Sequence, residues 1–161
     1  MKQTNIDIIL PAVISNIESY NNTDNKDMKY VLRYGLRRMI QYWSEVEEHS
    51  ISEAAYKICQ ERGIDWTKLK KNVKGDVVGK PAVLGDHTKP LMSFIYQLYE
   101  VDTKYIRLLL LMYPPICWIT RDEDNVLNRN KYKNKRPGGW KKCYSECGII
   151  VRPAVSLTQQ T

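Results

Sequence analysis

Tyr113-Pro114-Pro115 divides the chain between two kinds of structure. Pro114 biases Tyr113 away from helical geometry and neither proline donates a backbone hydrogen bond, so the helical pattern of Tyr105 to Met112 must stop there. Ile116 to Ile119 then reads as a short β-prone strand. Thr120-Arg121-Asp122-Glu123 matches a capping box, which starts a helix at once and carries it to about Asn130. A strand feeding straight into a helix, in a chain otherwise rich in helical periodicity, points to an α+β fold of mostly helical mass.

The remaining segments are consistent with that class. Ile6, Ile9, Leu10, Val13, Ile14 and Ile17 recur at helical spacing, with the regular helix expected to begin at Pro11. After a polar break over Asn21 to Asp27, the residues Met28, Val31, Leu32, Leu36, Met39, Ile40 and Trp43 form one apolar stripe, opposite Arg33, Arg37 and Arg38. Glu45 to His49 reads as a surface link with His49 solvated. Ser50 and Glu53 match a capping box for a helix over Ser50 to Arg62, ended by Gly63, and Asp65 caps a further turn through Leu69.

From Val73 the pattern changes, and Val77, Val78, Ala82, Val83 and Leu84, broken by Gly79 and Pro81, read as extended structure or a hairpin leading into Asp86-His87. Leu91 to Glu100 is helical, and Thr103 caps the helix that Tyr113 ends. Pro137-Gly138-Gly139 forces a turn, Lys142 to Gly148 is a last short helix, and Ile149 to Val151 is extended. The expected organisation is an N-terminal helical region over 1–72, a core with a helical insertion over 73–150, and a mobile tail over 151–161.

Charge is informative because of its placement. The net charge is +7, and the seven basic residues Arg129, Lys131, Lys133, Lys135, Arg136, Lys141 and Lys142 fall in one stretch with no acid among them. Without them the chain carries 18 basic and 18 acidic residues (25 less seven, against 18). Interleaved with Tyr132 and Trp140, the segment suits phosphate binding and base stacking, so nucleic acid is the expected partner, DNA before RNA. The bland reading is a solvated loop that keeps the protein soluble. The four cysteines are too scattered for a disulfide framework, the N-terminus is too polar for a signal peptide, and Leu108 to Met112 is far too short to span a membrane. A cytoplasmic protein without membrane partners is expected, and a homodimer is allowed. Cys143 and Cys147 share a helical face, but a zinc site needs two further ligands.

The chemistry-bearing residues lie in Gly85-Asp86-His87-Thr88-Lys89-Pro90-Leu91 and in the strand-to-helix stretch that ends Asp122-Glu123-Asp124-Asn125. A neutral imidazole is a suitable base near neutral pH, and carboxylate and amide oxygens suit a hard cation. Asp124 and Asn128 share a helical face, and Glu123 and Asp122 serve the helix N-terminus. Asp86 and His87 alternate across a strand, so only a bend brings both to one site. A turn in which Asp86 bonds to backbone is the duller alternative.

Asp86-His87-Thr88-Lys89-Pro90-Leu91 resembles the Asp-His-x-x-Pro-Leu signature of the HNH (His-Me finger) endonucleases, and Trp118 to Asn125 is similar to the strand-to-helix stretch that closes their ββα-metal motif. The resemblance covers roughly residues 77–131. It implies a ββα-metal finger within the helical mass and a metal-dependent endonuclease, hydrolysing DNA in a restriction or phage-defence setting. It implies His87 as general base, Asp86 as a ligand to Mg²⁺ or Mn²⁺, and a second ligand at Asp124 or Asn128. Arg121, with the basic segment, would contact the nucleic acid. A non-catalytic nucleic-acid binder or phage-type inhibitor or regulator is the alternative, and such a binder has no need to hold His87 near Asp124.

Overall fold

The computed structural model describes residues 2–45, 49–113 and 116–152. Its elements, in chain order, are α1 (Lys2–Asn21), α2 (Lys26–Glu45), β1 (Ser50–Ser52), α3 (Glu53–Glu61), β2 (Val73–Lys74) and β3 (Pro81–His87). They continue as α4 (Leu91–Glu100), α5 (Ile106–Met112), β4 (Ile116–Thr120), α6 (Arg121–Arg129), α7 (Trp140–Glu146) and β5 (Val151–Arg152). The fold is α+β, as the sequence indicates. The chain forms two compact units, each discontinuous in sequence: 1–47 with 89–114, and 48–88 with 115–161. The expected division at 72/73 is not one of their boundaries. The insertion between the two chemistry-bearing stretches shares a hydrophobic core with the N-terminal helices instead of forming part of the strand-bearing unit.

The helical unit packs α1, α2, α4 and α5 around Val13, Ile17, Leu36, Ile40, Phe94, Leu98 and Leu110. α1 runs through Pro11 rather than starting there. An interior proline costs about 3 kcal/mol, and burial of Ile6 before it and Val13 and Ile17 after it outweighs that loss. The stripe on α2 is buried only in its later turns; Met28 and Val31 remain 49% and 61% exposed. Tyr113 closes α5 and donates its hydroxyl to the Lys89 carbonyl at 3.2 Å.

The second unit is built on a five-stranded sheet of order β2-β3-β4-β1-β5, in which only β1 and β4 are parallel. β3, β4 and α6 form a ββα succession, with α6 packed on both strands. Alternation along β4 sorts the core. Trp118 joins Ile51, Ala55, Cys59 and Val83 on the α3 face, while Cys117 and Ile119 join Leu127 and Tyr144 under α6 and α7. Gly85 lies opposite Trp118, and a Cβ there would sit 3.2 Å from the indole.

Local capping signals are realised with two displacements. Thr120 and Glu123 form the capping box, and Glu123 Oε2 also accepts from the Ser52 hydroxyl at 2.7 Å, tying β1 to the start of α6. Ser50 does not begin a helix: Ser50 to Ser52 pair with β4 and β5, and Ser52 is the N-cap of α3. The buried slot beside β4 draws Ile51 into the sheet and postpones the helix by one short strand. Likewise Asp102, not Thr103, caps the turn before α5. Residues 151–152, expected in the tail, form the edge strand β5; residues 153–161, and 46–48 of the acidic link, lie outside the described residues. No helix among the described residues is long and apolar enough to cross a membrane.

Candidate nucleic-acid interface

The basic segment is shaped at three points. α6 ends in a Schellman arrangement, in which the Tyr132 amide donates to the Leu127 carbonyl at 2.9 Å and the Lys131 amide to that of Asn128 at 3.0 Å. The left-handed residue such an ending requires is Lys131, at φ 62°, where glycine is usual. Tyr132 then packs against the α6–α7 core and donates its hydroxyl to Glu146 on α7. Next, Arg136-Pro137-Gly138-Gly139 forms a type II turn. Proline stands at its second position and Gly138 (φ 74°) at its third, and the Gly139 amide donates to the Arg136 carbonyl at 2.9 Å. Finally, Trp140 opens α7 and meets Tyr144 edge-on, with ring centroids 5.4 Å apart. Tyr132 and Trp140, read from sequence as stacking platforms, are thus anchors that hold the segment to the sheet.

The turn aims Arg136 inward. Its Nη2 donates to both Asp86 oxygens, at 2.9 and 2.8 Å, and the Tyr144 hydroxyl donates to Asp86 Oδ2 at 2.5 Å. The Arg136 side chain is 4% exposed and that of Asp86 16%. Burial pushes the Asp86 carboxyl above its ordinary value, outweighing the Arg136 charge and the Tyr144 hydrogen bond that pull it down; the nearby Asp124 carboxylate adds to the rise. Burial also pushes the Cys117 thiol up to about 12, which keeps it protonated and inert.

The site expected from sequence is only partly assembled. Asp86 and Asp124 are close enough to interact, and Asn128 donates to Asp124 at 3.1 Å. His87 is elsewhere. β3 continues in register through His87, paired with Ile116, without the bend that would bring His87 round to Asp86. Asp86 therefore faces Tyr144 and α6, and His87 falls on the opposite, Trp118 face of the sheet. His49, read as solvated, is half-buried and edge-on to Trp118 at 5.6 Å.

The residues as they stand do not fit a Mg²⁺ or Mn²⁺ centre. Both oxygens of Asp86 are engaged by Arg136 and one also by Tyr144, and among the described residues no three His, Cys, Asp or Glu side chains are grouped to hold a metal ion. That statement includes Cys143 and Cys147. No family model, no curated protein and no solved structure matches this chain.

The cations are sorted by the same geometry. Arg136 is an internal anchor. Arg129, Lys131, Lys133, Lys135, Lys141 and Lys142 are exposed, and Lys142 makes only a long, exposed pair with Glu146 at 3.8 Å. Arg121 is half-buried at the opposite end of α6 from the segment. The sequence carried a signal for the anchor. Asp86, set in an otherwise apolar strand, needs a buried partner, and the arginine fixed by a Pro-Gly turn can supply it.

Lys131 gives a direct check on what the segment is for. Lys131→Gly relieves a left-handed backbone and is expected to raise stability by about 1 kcal/mol in urea denaturation. No gain would show that the α6 ending carries no strain at this position.

Proposed function

We propose that the sheet-bearing unit binds nucleic acid through the exposed cations of Arg129 to Lys142. One observation carries this reading: the segment is pinned at Tyr132, Arg136 and Trp140, while its remaining cations face solvent. A loop serving only solubility needs no buried anchors, and a lysine at a left-handed position is costlier there than glycine. An anchored row of cations along a loop is the form that phosphate backbones recognise. The reading is that of a binding protein. The expected nuclease arrangement has His87 as base beside a cation on Asp86 and on Asp124 or Asn128, and His87 lies on the opposite face of the sheet from Asp86.

The test is fluorescence anisotropy with labelled duplex DNA, single strands and RNA across a salt series. With about four phosphates neutralised, the log–log slope of affinity against salt should lie near −3 to −4. Replacing Lys131, Lys133, Lys135 and Lys141 by Ala should weaken binding to all sequences alike and flatten that slope. Unchanged binding after the quadruple replacement would sink the proposal. Incubation with Mg²⁺ or Mn²⁺ supplies a second arm: strand cleavage by the wild type that is lost in His87→Ala would replace binding alone with a nuclease.

A further inference from the structure

The β2–β3 hairpin of the same unit ends in a tip that breaks the rule for exposed turns. Val77 is 58% exposed and Val78 99% exposed. The tip is nevertheless tightly built. The Lys80 amide donates to the Val77 carbonyl at 3.0 Å, and Gly79 at φ 76° supplies the third position of a type II turn with Val78 at its corner. Below it the Gly75 amide donates to the Lys80 carbonyl at 3.0 Å, and a Cβ on Gly75 would lie 2.5 Å from that oxygen.

The hairpin is also braced from outside. Arg62, at the end of α3, donates from Nη1 to the Lys74 carbonyl at 2.6 Å and from Nη2 to Asp76 at 3.2 Å. The brace pairs Asp76, the acid at this end of the hairpin, and Lys74 and Lys80 stand exposed on either side of the apolar tip. A glycine-tightened turn that presents two valines between Lys74 and Lys80 is a shaped contact surface.

We infer that this tip is a wedge for the minor groove of duplex DNA, with Val77 and Val78 against the base edges and the lysines on the flanking phosphates. The inference rests on the nucleic-acid reading above and adds a second, separate contact. Small apolar side chains inserted between base steps, with cations alongside, are how minor-groove proteins unstack and bend a duplex. An anionic membrane offers the same charge, but two valines carry less than half the carbons of a myristoyl chain, which alone binds bilayers only marginally. From Pro81 to Asp86, β3 rises about 17 Å, the length of about five base pairs, between the end that carries the tip and the end where Arg136 holds the cationic segment.

The experiment uses the full chain and a duplex of about 20 base pairs labelled at both ends, read by energy transfer and by anisotropy, with phosphatidylserine vesicles as a parallel arm. Wild type should raise energy transfer, reporting a bend of about 20–90°, and Val77→Ser with Val78→Ser should abolish the rise and weaken duplex binding about tenfold while keeping the salt slope. Both positions are exposed, so the variant folds. Binding without bending, or bending equal in the variant, overturns the wedge and leaves the Arg129–Lys142 interface standing. Absence of any duplex binding overturns both. Vesicle association that the two serines remove overturns the DNA wedge in favour of a membrane contact.

Discussion

Arg136→Ala is expected to destabilise the protein by about 3–5 kcal/mol, the largest loss from any single cation in the chain. The other six cations of the basic segment are exposed, and replacing any of them except the left-handed Lys131 should change stability by no more than about 0.5 kcal/mol. Arg136 differs because its removal leaves the Asp86 carboxylate buried with only the Tyr144 hydroxyl as partner. The loss should grow with pH. Arg136 lowers the Asp86 pKa, so without it the carboxyl holds its proton to still higher pH, and the penalty of burying the anion is felt once the carboxyl ionises. Urea denaturation at about pH 5 and pH 8 measures this, and a loss under about 1 kcal/mol at both would show that Arg136 is not the anchor. Salt-dependent DNA binding should weaken as well, although Arg136 meets no phosphate, because the segment that displays Lys131, Lys133 and Lys135 loses its fixed point.

The contrast between Arg136 and its neighbours shows where sequence reading stops. Features written in adjacent residues were legible. The end of α5 at Met112, the Thr120/Glu123 capping box and the left-handed Gly63 after α3 each depend on a few positions whose backbone preferences agree, whereas Val77 and Val78, read as extended or hairpin residues, form the turn between β2 and β3. α1 was misplaced because the cost of Pro11 is local, whereas the compensation from Ile6, Val13 and Ile17 depends on which helices pack beside it. Ser50 was read as a helix start because its match to Glu53 is local, while the vacancy next to β4 that claims Ile51 is not.

The candidate site divides in the same way. Asp86 is expected from sequence as a metal ligand or as an acid bonded to backbone in a turn, whereas its partner lies 50 residues away and is an arginine. That long-range pairing turns an expected metal ligand into a structural clamp. It also moves Arg136 out of the expected nucleic-acid surface, and it leaves His87 without the acid beside it in sequence. Strand alternation alone already opposed the two side chains; the bend that would have reconciled them is absent from β3.

Converting the clamp to an apolar one should recover what Arg136→Ala loses. In the triple variant Asp86→Val, Arg136→Met and Tyr144→Phe, no charge and no hydroxyl remains to be paired, Val suits a central strand, and Met nearly fills the volume of Arg. Buried ion pairs exchanged for packed apolar groups are commonly neutral or stabilising by about 1–4 kcal/mol. Here the native pair is incompletely compensated: Arg136 Nε and Nη1 are buried with no hydrogen-bond partner among the described residues, and burial outweighs pairing at Asp86. The triple variant should therefore be at least as stable as wild type at neutral pH. Its pH dependence supplies the sign. A carboxyl whose folded pKa lies above its ordinary 3.8 binds its proton more tightly in the native state, so its contribution to stability falls as pH rises between those two values and stays at its lowest above them. Subtracting wild type from the triple variant removes every other carboxylate from the comparison, and the difference should increase in favour of the variant as pH rises from about 4 through that window, then level off. A triple variant no more stable than Arg136→Ala, or a difference flat across that range, would show that the charge pair stabilises the fold on its own account.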